Sequence, residues 1–319
     1  MGVNLDKTHK WKEDIARSVD FYNRWFMEFA PKAFRDTRIK TAKDVEEALK
    51  LTDNLRNIKP EVLQAKPTVL PMLRMTTCPP IARDRLIGLS GVSPNLVKCM
   101  EVDKCIPPRM KPDDLRKSLE KIGETINKMA DPDLFVWLGR EKPATEQEIY
   151  RAATVVADRL CGAESDPIIR NAQERRQLAS IKKWLEKRGY RKLRGGEVET
   201  FDKMPPMTFS FRFNVPVNLE DGKKVNIPVD VVIMRKEAKS GDYPLFFEAK
   251  SAGDFTNVNK RRKEEGKKVT QLLKTYGKRI SFNLFLCGYF DSGYLGYEAS
   301  DGIDWVWEHR IDDLAEFGL

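Results

Sequence analysis

Histidine is nearly absent from this chain of 319 residues, which contains only His9 and His309. So few histidines exclude the ββα-metal (HNH) nucleases, the paired-HKD phosphodiesterases and metal sites built from several imidazole ligands. Serine hydrolase chemistry is not expected either, because neither histidine accompanies a G-x-S-x-G motif. Catalysis by this chain would have to depend on carboxylates, lysines and a metal ion.

Long apolar runs and paired cysteines are also missing. No window reaches the apolar length needed to cross a bilayer, and the first residues contain no secretory apolar segment. We therefore expect no membrane association. The cysteines are odd in number and form no C-x-x-C pair, which argues against a disulfide framework or a zinc cage and favours a reducing cytoplasm; they are Cys78, Cys99, Cys105, Cys161 and Cys287.

Positive charge, by contrast, is abundant. The chain has 57 Lys and Arg residues against 48 Asp and Glu residues, which gives a formal net charge of +9. This excess favours a polyanionic partner, although many basic proteins bind no nucleic acid. The apolar fraction of 41% and the length are sufficient for two domains with their own cores.

Residues 1–163 have the pattern of a helical domain with proline-bearing turns. Pro31 follows the end of the first predicted helix, and Thr41 is placed to cap the second. Apolar residues recur at helical spacing in four segments, which are Trp11–Phe29, Thr41–Ile58, Lys111–Met129 and Glu146–Leu160.

Residues 164–319 predict a second domain with a mixed α/β core, so the fold class is α+β. Its first helix would be capped by Asp166, contain Pro167 in its first turn and end at Gly189. A helix is predicted over Lys267–Tyr276. Short apolar runs predict strands at Met207–Val217, Val225–Met234, Leu245–Lys250 and Phe282–Tyr289, and Trp305 and Trp307 suggest a last one.

The most informative residues lie on two of these strands. Glu248 and Lys250 are two apart, so on a strand their side chains project from the same face, whereas Ala249 points into the core. Asp230 interrupts the apolar strand Ile227–Ile233, and its separation of 18 positions from Glu248 leaves room for a turn. We therefore expect Asp230 to lie beside Glu248 on a neighbouring strand.

These residue types suit metal-assisted hydrolysis of a phosphodiester. A hard cation such as Mg²⁺ binds carboxylate and carbonyl oxygens, which Asp230, Glu248 and the Ala249 carbonyl can supply. The metal would polarise the phosphate and activate a water, and Lys250 would position that water or stabilise the developing negative charge.

The D…E-x-K pattern resembles that of the PD-(D/E)XK nucleases. The first half is similar to the XamI-like restriction endonucleases, both in Trp11…Asp14…Ser18-Val19-Asp20…Trp25 and in Pro79-Pro80-Ile81-Ala82-Arg83-Asp84-Arg85-Leu86. One departure is that Pro228 lies two residues before Asp230 instead of immediately before it.

The resemblance implies a prokaryotic type II restriction endonuclease. Such an enzyme cleaves double-stranded DNA at a short, usually palindromic sequence, as a homodimer with Mg²⁺, and a cognate DNA methyltransferase belongs to the same system without forming a stable complex. The helical domain would then serve in DNA recognition or dimerisation.

Further residues are candidates for the catalytic and DNA-binding surfaces. The resemblance implies that Glu174 assists at the metal, although it could equally be an exposed residue beside Arg175 and Arg176. Gln271 resembles a residue that contacts the DNA backbone in relatives. The basic segment Lys260, Arg261, Arg262 and Lys263, which continues to Lys267 and Lys268, is expected to bind phosphates.

Arg83–Glu101 resembles a helix-turn-helix with Gly91 in its turn. Ser93, Asn95 and Lys98 would then face the major groove of DNA. A plain helix-loop-helix corner is an equally good interpretation, because Ile87 stands where a small residue is usual.

Three alternative functions remain open at this point. A junction resolvase or repair nickase of the same superfamily would cut in a structure-dependent manner. A DNA-binding regulator would use the helix-turn-helix-like segment without catalysis, and the complete set of Asp230, Glu248 and Lys250 argues against it. A basic structural or RNA-binding protein would leave the acidic residues at the strand ends unexplained.

Overall fold

The computed structural model describes residues 2–219, 222–256 and 258–319, except for the side chains of residues 258–265 and 278. The chain divides into two compact units. We call residues up to Phe29 together with Arg170–Leu319 the sheet unit, and Ala30–Ile169 the helical unit. The predicted division between residues 163 and 164 differs from these units, because the first 29 residues pack with the sheet unit.

The first helix, α1 (Thr8–Leu51), is longer than expected and contains Pro31 in its interior. The predicted end at Pro31 is therefore wrong. An interior proline costs about 3 kcal/mol, and apolar side chains buried on both sides of it offset that cost. Thr41 is not a cap. It is buried in the middle of α1 and donates to the carbonyls of Arg38 and Ala157.

The helical unit has one continuous apolar core to which all of its helices contribute. The predicted helix over Lys111–Met129 is confirmed as α6. The other α-helices lying wholly in this unit are α2 (Pro60–Ala65), α3 (Leu70–Met75), α4 (Arg83–Ser90) and α5 (Pro94–Lys98), with short 3-10 turns at Pro67–Val69 and Val136–Gly139 and a π-helical turn at Cys99–Asp103.

The long helix α7 (Glu146–Glu186) also runs through a proline, Pro167. The prediction that a new helix begins at Asp166 is wrong, for the same reason as at Pro31. Gly189 has a φ of +85° just beyond the end of α7 and stops it as expected.

Within the described residues, six strands form one sheet in the order β1 to β6. Antiparallel pairing joins β2 to β3 and β3 to β4, and the other neighbours are parallel. The mixed sheet confirms the α+β fold class. The strands are β1 (Arg191–Lys192), β2 (Thr208–Asn218), β3 (Lys224–Met234), β4 (Leu245–Ala252), β5 (Ser281–Gly288) and β6 (Asp304–Trp307).

Helices cover both faces of this sheet. The second part of α7 packs on one face through Leu178, Ile181 and Leu185. Two later helices, α8 (Val258–Tyr276) and α9 (Ser292–Ser300), pack on the other face through Val269, Leu272 and Leu295. Short 3-10 segments occur at Phe201–Lys203, Gly277–Arg279 and Glu308–Phe317. No helix in the described part of the chain is long and apolar enough to cross a membrane.

Candidate active site

The strand that carries Asp230 is irregular at that residue. Val229 packs against the α8 face of the sheet, whereas Val231, two residues later, packs against the α7 face. A regular strand would place residues two apart on the same face. Strand β3 therefore turns over at Asp230, and the half-buried Asp230 side chain lies where the regular pleat is interrupted.

The opposite residue on β2 is irregular as well. Arg212 has a φ of +52°, which is rare for a residue with a side chain. The β2–β3 pairing is continuous on both sides but omits the position where Arg212 faces Asp230. Strained backbone of this kind is concentrated at functional sites.

On its other side, β3 pairs with β4 only as far as Val231 and Phe247. The next position along this register would bring Asp230 opposite Glu248. There, Asp230 Oδ2 accepts a hydrogen bond from the backbone N–H of Ala249 at 3.0 Å. The structure thus brings Asp230 next to the Glu248-Ala249-Lys250 segment, as the spacing of the sequence predicted.

Glu248 is buried, and both of its carboxylate oxygens are occupied by lysines. Lys250 Nζ lies 3.2 Å from Glu248 Oε1, and Lys268 Nζ lies 2.6 Å from Glu248 Oε2. Lys268 comes from α8, one helical turn before the buried Leu272. The sequence analysis placed Lys268 only in a basic run, although its i,i+4 relation to Leu272 could have indicated that it faces the sheet.

The electrostatics of Asp230 reflect this crowding. Burial, followed by the negative charge of Glu248, raises the pKa of Asp230 to about 6. The Ala249 N–H, Lys250 and Lys268 act in the opposite direction, because each stabilises the charged carboxylate. A cation placed between the two carboxylates would relieve the repulsion that raises this pKa.

The oxygen donors present suit Mg²⁺ better than a metal that requires a full protein cage. Among the described residues, no group of three or more His, Cys, Asp and Glu side chains could hold a metal ion. Mg²⁺ is commonly bound through only one or two carboxylates and keeps several waters. Asp230, Glu248 and the Ala249 carbonyl form such a set, and the Ala249 side chain packs on the opposite face as predicted.

Glu174 lies on α7 and forms an ion pair with Arg212. Its Oε1 atom accepts from Arg212 Nε at 3.1 Å and from Arg212 Nη2 at 2.6 Å. Both side chains are partly exposed. Glu174 is therefore linked to the Asp230 region through Arg212, a connection that the sequence could not indicate.

A buried amide also supports this end of β4. Gln177 Nε2 donates to the carbonyls of Lys250 and Phe285, at 3.1 and 3.2 Å. Gln177 shares a helical face with Ile181 and Leu185, where a polar residue is unusual. That exception was visible in the sequence but was not singled out.

The predicted DNA-binding residues fall in different places. Gln271 is half-buried on α8, three residues after Lys268. The side chains of Lys260, Arg261, Arg262 and Lys263 lie outside the described residues.

The segment that resembles a helix-turn-helix contains α4, a turn and α5, a form that a plain helix-loop-helix corner shares. Gly91 adopts a φ of +62° between α4 and α5. Ser93, Asn95 and Lys98 are exposed, and Leu86, Val92, Val97 and Met100 are buried.

Comparison with known proteins identifies the family. The model of the XamI restriction endonuclease family matches residues 53–307. The type II restriction enzyme SalI of Streptomyces albus G is 54% identical over 316 residues, which cover 99% of each chain. The resemblance noted in the sequence is thus confirmed, and the chain belongs to the XamI family of restriction endonucleases.

Proposed function

We propose that this type II restriction endonuclease hydrolyses duplex DNA at a short, palindromic sequence with Mg²⁺, and that Asp230, Glu248 and Lys250 form its active site. The main support is the meeting of two carboxylates on neighbouring strands, with two lysines on Glu248, at a position where β2–β3 pairing is interrupted. A sheet with a purely structural role would gain nothing from four charged side chains at this interruption, because burying charge costs free energy.

In this mechanism, Asp230, Glu248 and the Ala249 carbonyl hold the cation. Bound there, Mg²⁺ would supply the Lewis acid that polarises the phosphate and lowers the pKa of the attacking water. Hydrolysis forms one bond from the water oxygen to phosphorus and breaks one phosphorus–oxygen ester bond. Lys250 directs its ammonium group at the water or at the negative charge that develops on the phosphate oxygens.

Glu174 is the least supported member of the proposed catalytic set. Its ion pair with Arg212 places it beside the strand position that faces Asp230. We propose that Glu174 assists the metal site through Arg212.

For DNA binding, we propose two contributions. Ser93, Asn95 and Lys98 are exposed at the turn between α4 and α5, where a helix-turn-helix presents side chains to the major groove. Lys260, Arg261, Arg262, Lys263 and Gln271 are proposed to bind the phosphate backbone, which suits the net charge of +9.

The proposal includes a homodimer, because one active site attacks one strand and a two-fold symmetric pair matches a palindromic site. A methyltransferase that protects the host DNA would complete the system. We propose the bacterial cytoplasm as the location, in keeping with the five free cysteines.

DNA cleavage tests this proposal directly. Purified protein is incubated with unmodified phage or plasmid DNA, with Mg²⁺ or with a chelator, beside Glu248→Ala and the exposed control Glu237→Ala. We expect discrete fragments only with Mg²⁺, from the native protein and the control variant. Nicking or smearing that Glu248→Ala abolishes would favour a structure-specific nuclease, and tight Mg²⁺-independent binding without cleavage would favour a regulator.

A further inference from the structure

Lys268 makes the shorter of the two contacts to Glu248, at 2.6 Å. Its side chain is only 15% exposed, and that of Glu248 is 10% exposed. An ammonium group so far removed from water is placed there at a cost in solvation, which its ion pair with Glu248 offsets. The contact is therefore a specific feature of this site and not one of many surface ion pairs.

The contact also occupies a carboxylate oxygen of Glu248, Oε2, which the proposed cation site needs. Glu248 has two carboxylate oxygens, and Lys250 and Lys268 occupy one each. A divalent cation on Glu248 has to displace or share one of these partners. Lys250 is fixed two residues away on the same strand, whereas Lys268 approaches from α8 on a four-carbon stem that can turn away.

The charges at the site indicate where the displaced ammonium would go. In the free protein, the charges of Asp230 and Glu248 are cancelled by those of Lys250 and Lys268. When DNA is cleaved, the two charges of a divalent cation are cancelled by the doubly negative transition state of phosphodiester hydrolysis. The charges of the site therefore sum to zero both in the free protein and during cleavage, but only if both lysines stay in the site. An ammonium group released from Glu248 would then be attracted to the negatively charged phosphate.

We propose that Lys268 is a further catalytic residue. Its ammonium group forms an ion pair with Glu248 in the DNA-free protein and moves into contact with the DNA phosphate when a divalent cation binds. This inference rests on the proposed function of Asp230, Glu248 and Lys250. It assigns to Lys268 two effects of opposite sign: it weakens cation binding to the free protein, and it accelerates cleavage of the bound DNA.

The test uses Lys268→Met and the control Lys274→Met, which removes an exposed lysine from the same helix. Mn²⁺ is titrated into the DNA-free protein, and the free ion is measured by electron paramagnetic resonance. We expect Lys268→Met to bind Mn²⁺ roughly tenfold more tightly, because a charge-assisted hydrogen bond no longer competes for Glu248. Its single-turnover cleavage of plasmid DNA with Mg²⁺ should be slower by about a hundredfold, the effect of losing one donor to a developing charge.

Each alternative outcome is distinct. If Lys268 only supports the fold, Lys268→Met will weaken both Mn²⁺ binding and cleavage and lower the melting temperature, which would overturn the inference. If Lys268→Met does not fold, Lys268→Arg serves instead. This variant keeps the positive charge. The inference is supported if its Mn²⁺ affinity is unchanged and its cleavage rate is within about tenfold of the native rate. Loss of both Mn²⁺ binding and cleavage contradicts the inference.

Failure of the inference can be separated from failure of the proposed function. A Glu248→Ala protein that still cleaves would remove the active site on which the inference depends. A different result is an inactive Glu248→Ala protein together with a Lys268→Met protein that matches the native one in Mn²⁺ affinity and cleavage rate. That result would support the proposed active site and reject only the role of Lys268.

Discussion

Two of the buried glutamates in the sheet unit, Glu248 and Glu308, are neutralised in different ways. Glu248 is contacted by two lysines, one on each carboxylate oxygen, and lies beside a second carboxylate, Asp230. Glu308 follows β6 and is paired with a single arginine, Arg176, whose Nε and Nη2 atoms lie 3.0 and 2.8 Å from its two oxygens. The two sites have similar burial but different geometry.

The Glu308 site has the features of a permanent structural pair. Arg176 also stacks on Trp25, with its guanidinium carbon 4.4 Å from the ring centroid, and donates to Cys287 Sγ at 3.1 Å. Burial, together with the charge of Glu308, raises the pKa of the Cys287 thiol, so this neighbour stays neutral. The planar fork of the guanidinium matches the carboxylate and contacts both oxygens of Glu308 in one fixed geometry.

The Glu248 site, by contrast, allows a lysine partner of the carboxylate to be replaced by another cation. Lysine ammonium groups are point charges on flexible stems, so Lys268, which approaches from α8, can leave Glu248 without breaking a fork. Asp230 repels Glu248 and is itself only half-buried, so the negative charge of the site is balanced only while both lysines stay beside it. The comparison teaches that burial of a glutamate does not distinguish a structural role from a chemical one, whereas the identity and geometry of its cationic partner do.

The largest effect is expected for Glu248→Gln. The change removes a cation-binding carboxylate, and we expect the cleavage rate to fall by at least about a thousandfold. The free energy of unfolding should fall by less than in Arg176→Met, because the repulsion with Asp230 disappears when the pairs with Lys250 and Lys268 are lost. Cleavage of plasmid DNA and urea denaturation measure the two effects. A large loss of stability would show that Glu248, like Glu308, has a structural role, and would contradict the distinction between the two sites.

Arg176→Met is expected to give the reverse pattern. It leaves the Glu308 carboxylate buried without its partner, which costs about 3–5 kcal/mol of stability. At a temperature where the variant is folded, its cleavage rate should be close to that of the native protein. Arg188→Met, which removes a more exposed arginine in the turn after the same helix, is the matched control. A folded but inactive Arg176→Met protein would show that this pair also serves the chemistry.

Gln177→Met tests whether the hydrogen bonds of Gln177 to the backbone of Lys250 and Phe285 stabilise the fold, the active site or both. The variant loses hydrogen bonds to the carbonyls of Lys250 and Phe285. We expect a loss of stability of about 1–3 kcal/mol in urea denaturation, since these are buried polar contacts. KM for DNA should be unchanged, and kcat should fall less than in Glu248→Gln. A change in KM alone would contradict a role beneath the catalytic strand.

The smallest effect is expected for a third glutamate, Glu174, which is partly exposed and is paired with the more exposed Arg212. Because solvent screens such pairs, Glu174→Gln should change the stability by less than about 1 kcal/mol. If Glu174 acts through Arg212, DNA affinity in the absence of a metal will weaken while the affinity for Mn²⁺ is kept. Loss of Mn²⁺ affinity would instead make Glu174 a direct ligand.

The sequence predicted the local features of the site and missed its long-range contacts. Asp230, Glu248 and Lys250 could be recognised because strand periodicity determines which of them share a face. Lys268 and Gln177 reach β4 from helices, and their helical spacing indicates only that they face the core, not which strand they contact. The helix ends at Pro31 and Pro167 were wrong because a breaker signal is local, whereas the burial that outweighs it depends on the tertiary fold.

The central claim is that the charge of Glu248 serves cleavage and that of Glu308 serves the fold. The most direct measurement is the single-turnover rate of plasmid cleavage with Mg²⁺ by Glu248→Gln and Glu308→Gln, at a temperature where both are folded by circular dichroism. We expect Glu308→Gln to cleave at a rate near that of the native protein and Glu248→Gln to be inactive. A folded Glu248→Gln protein that cleaves DNA at the native rate would contradict the account.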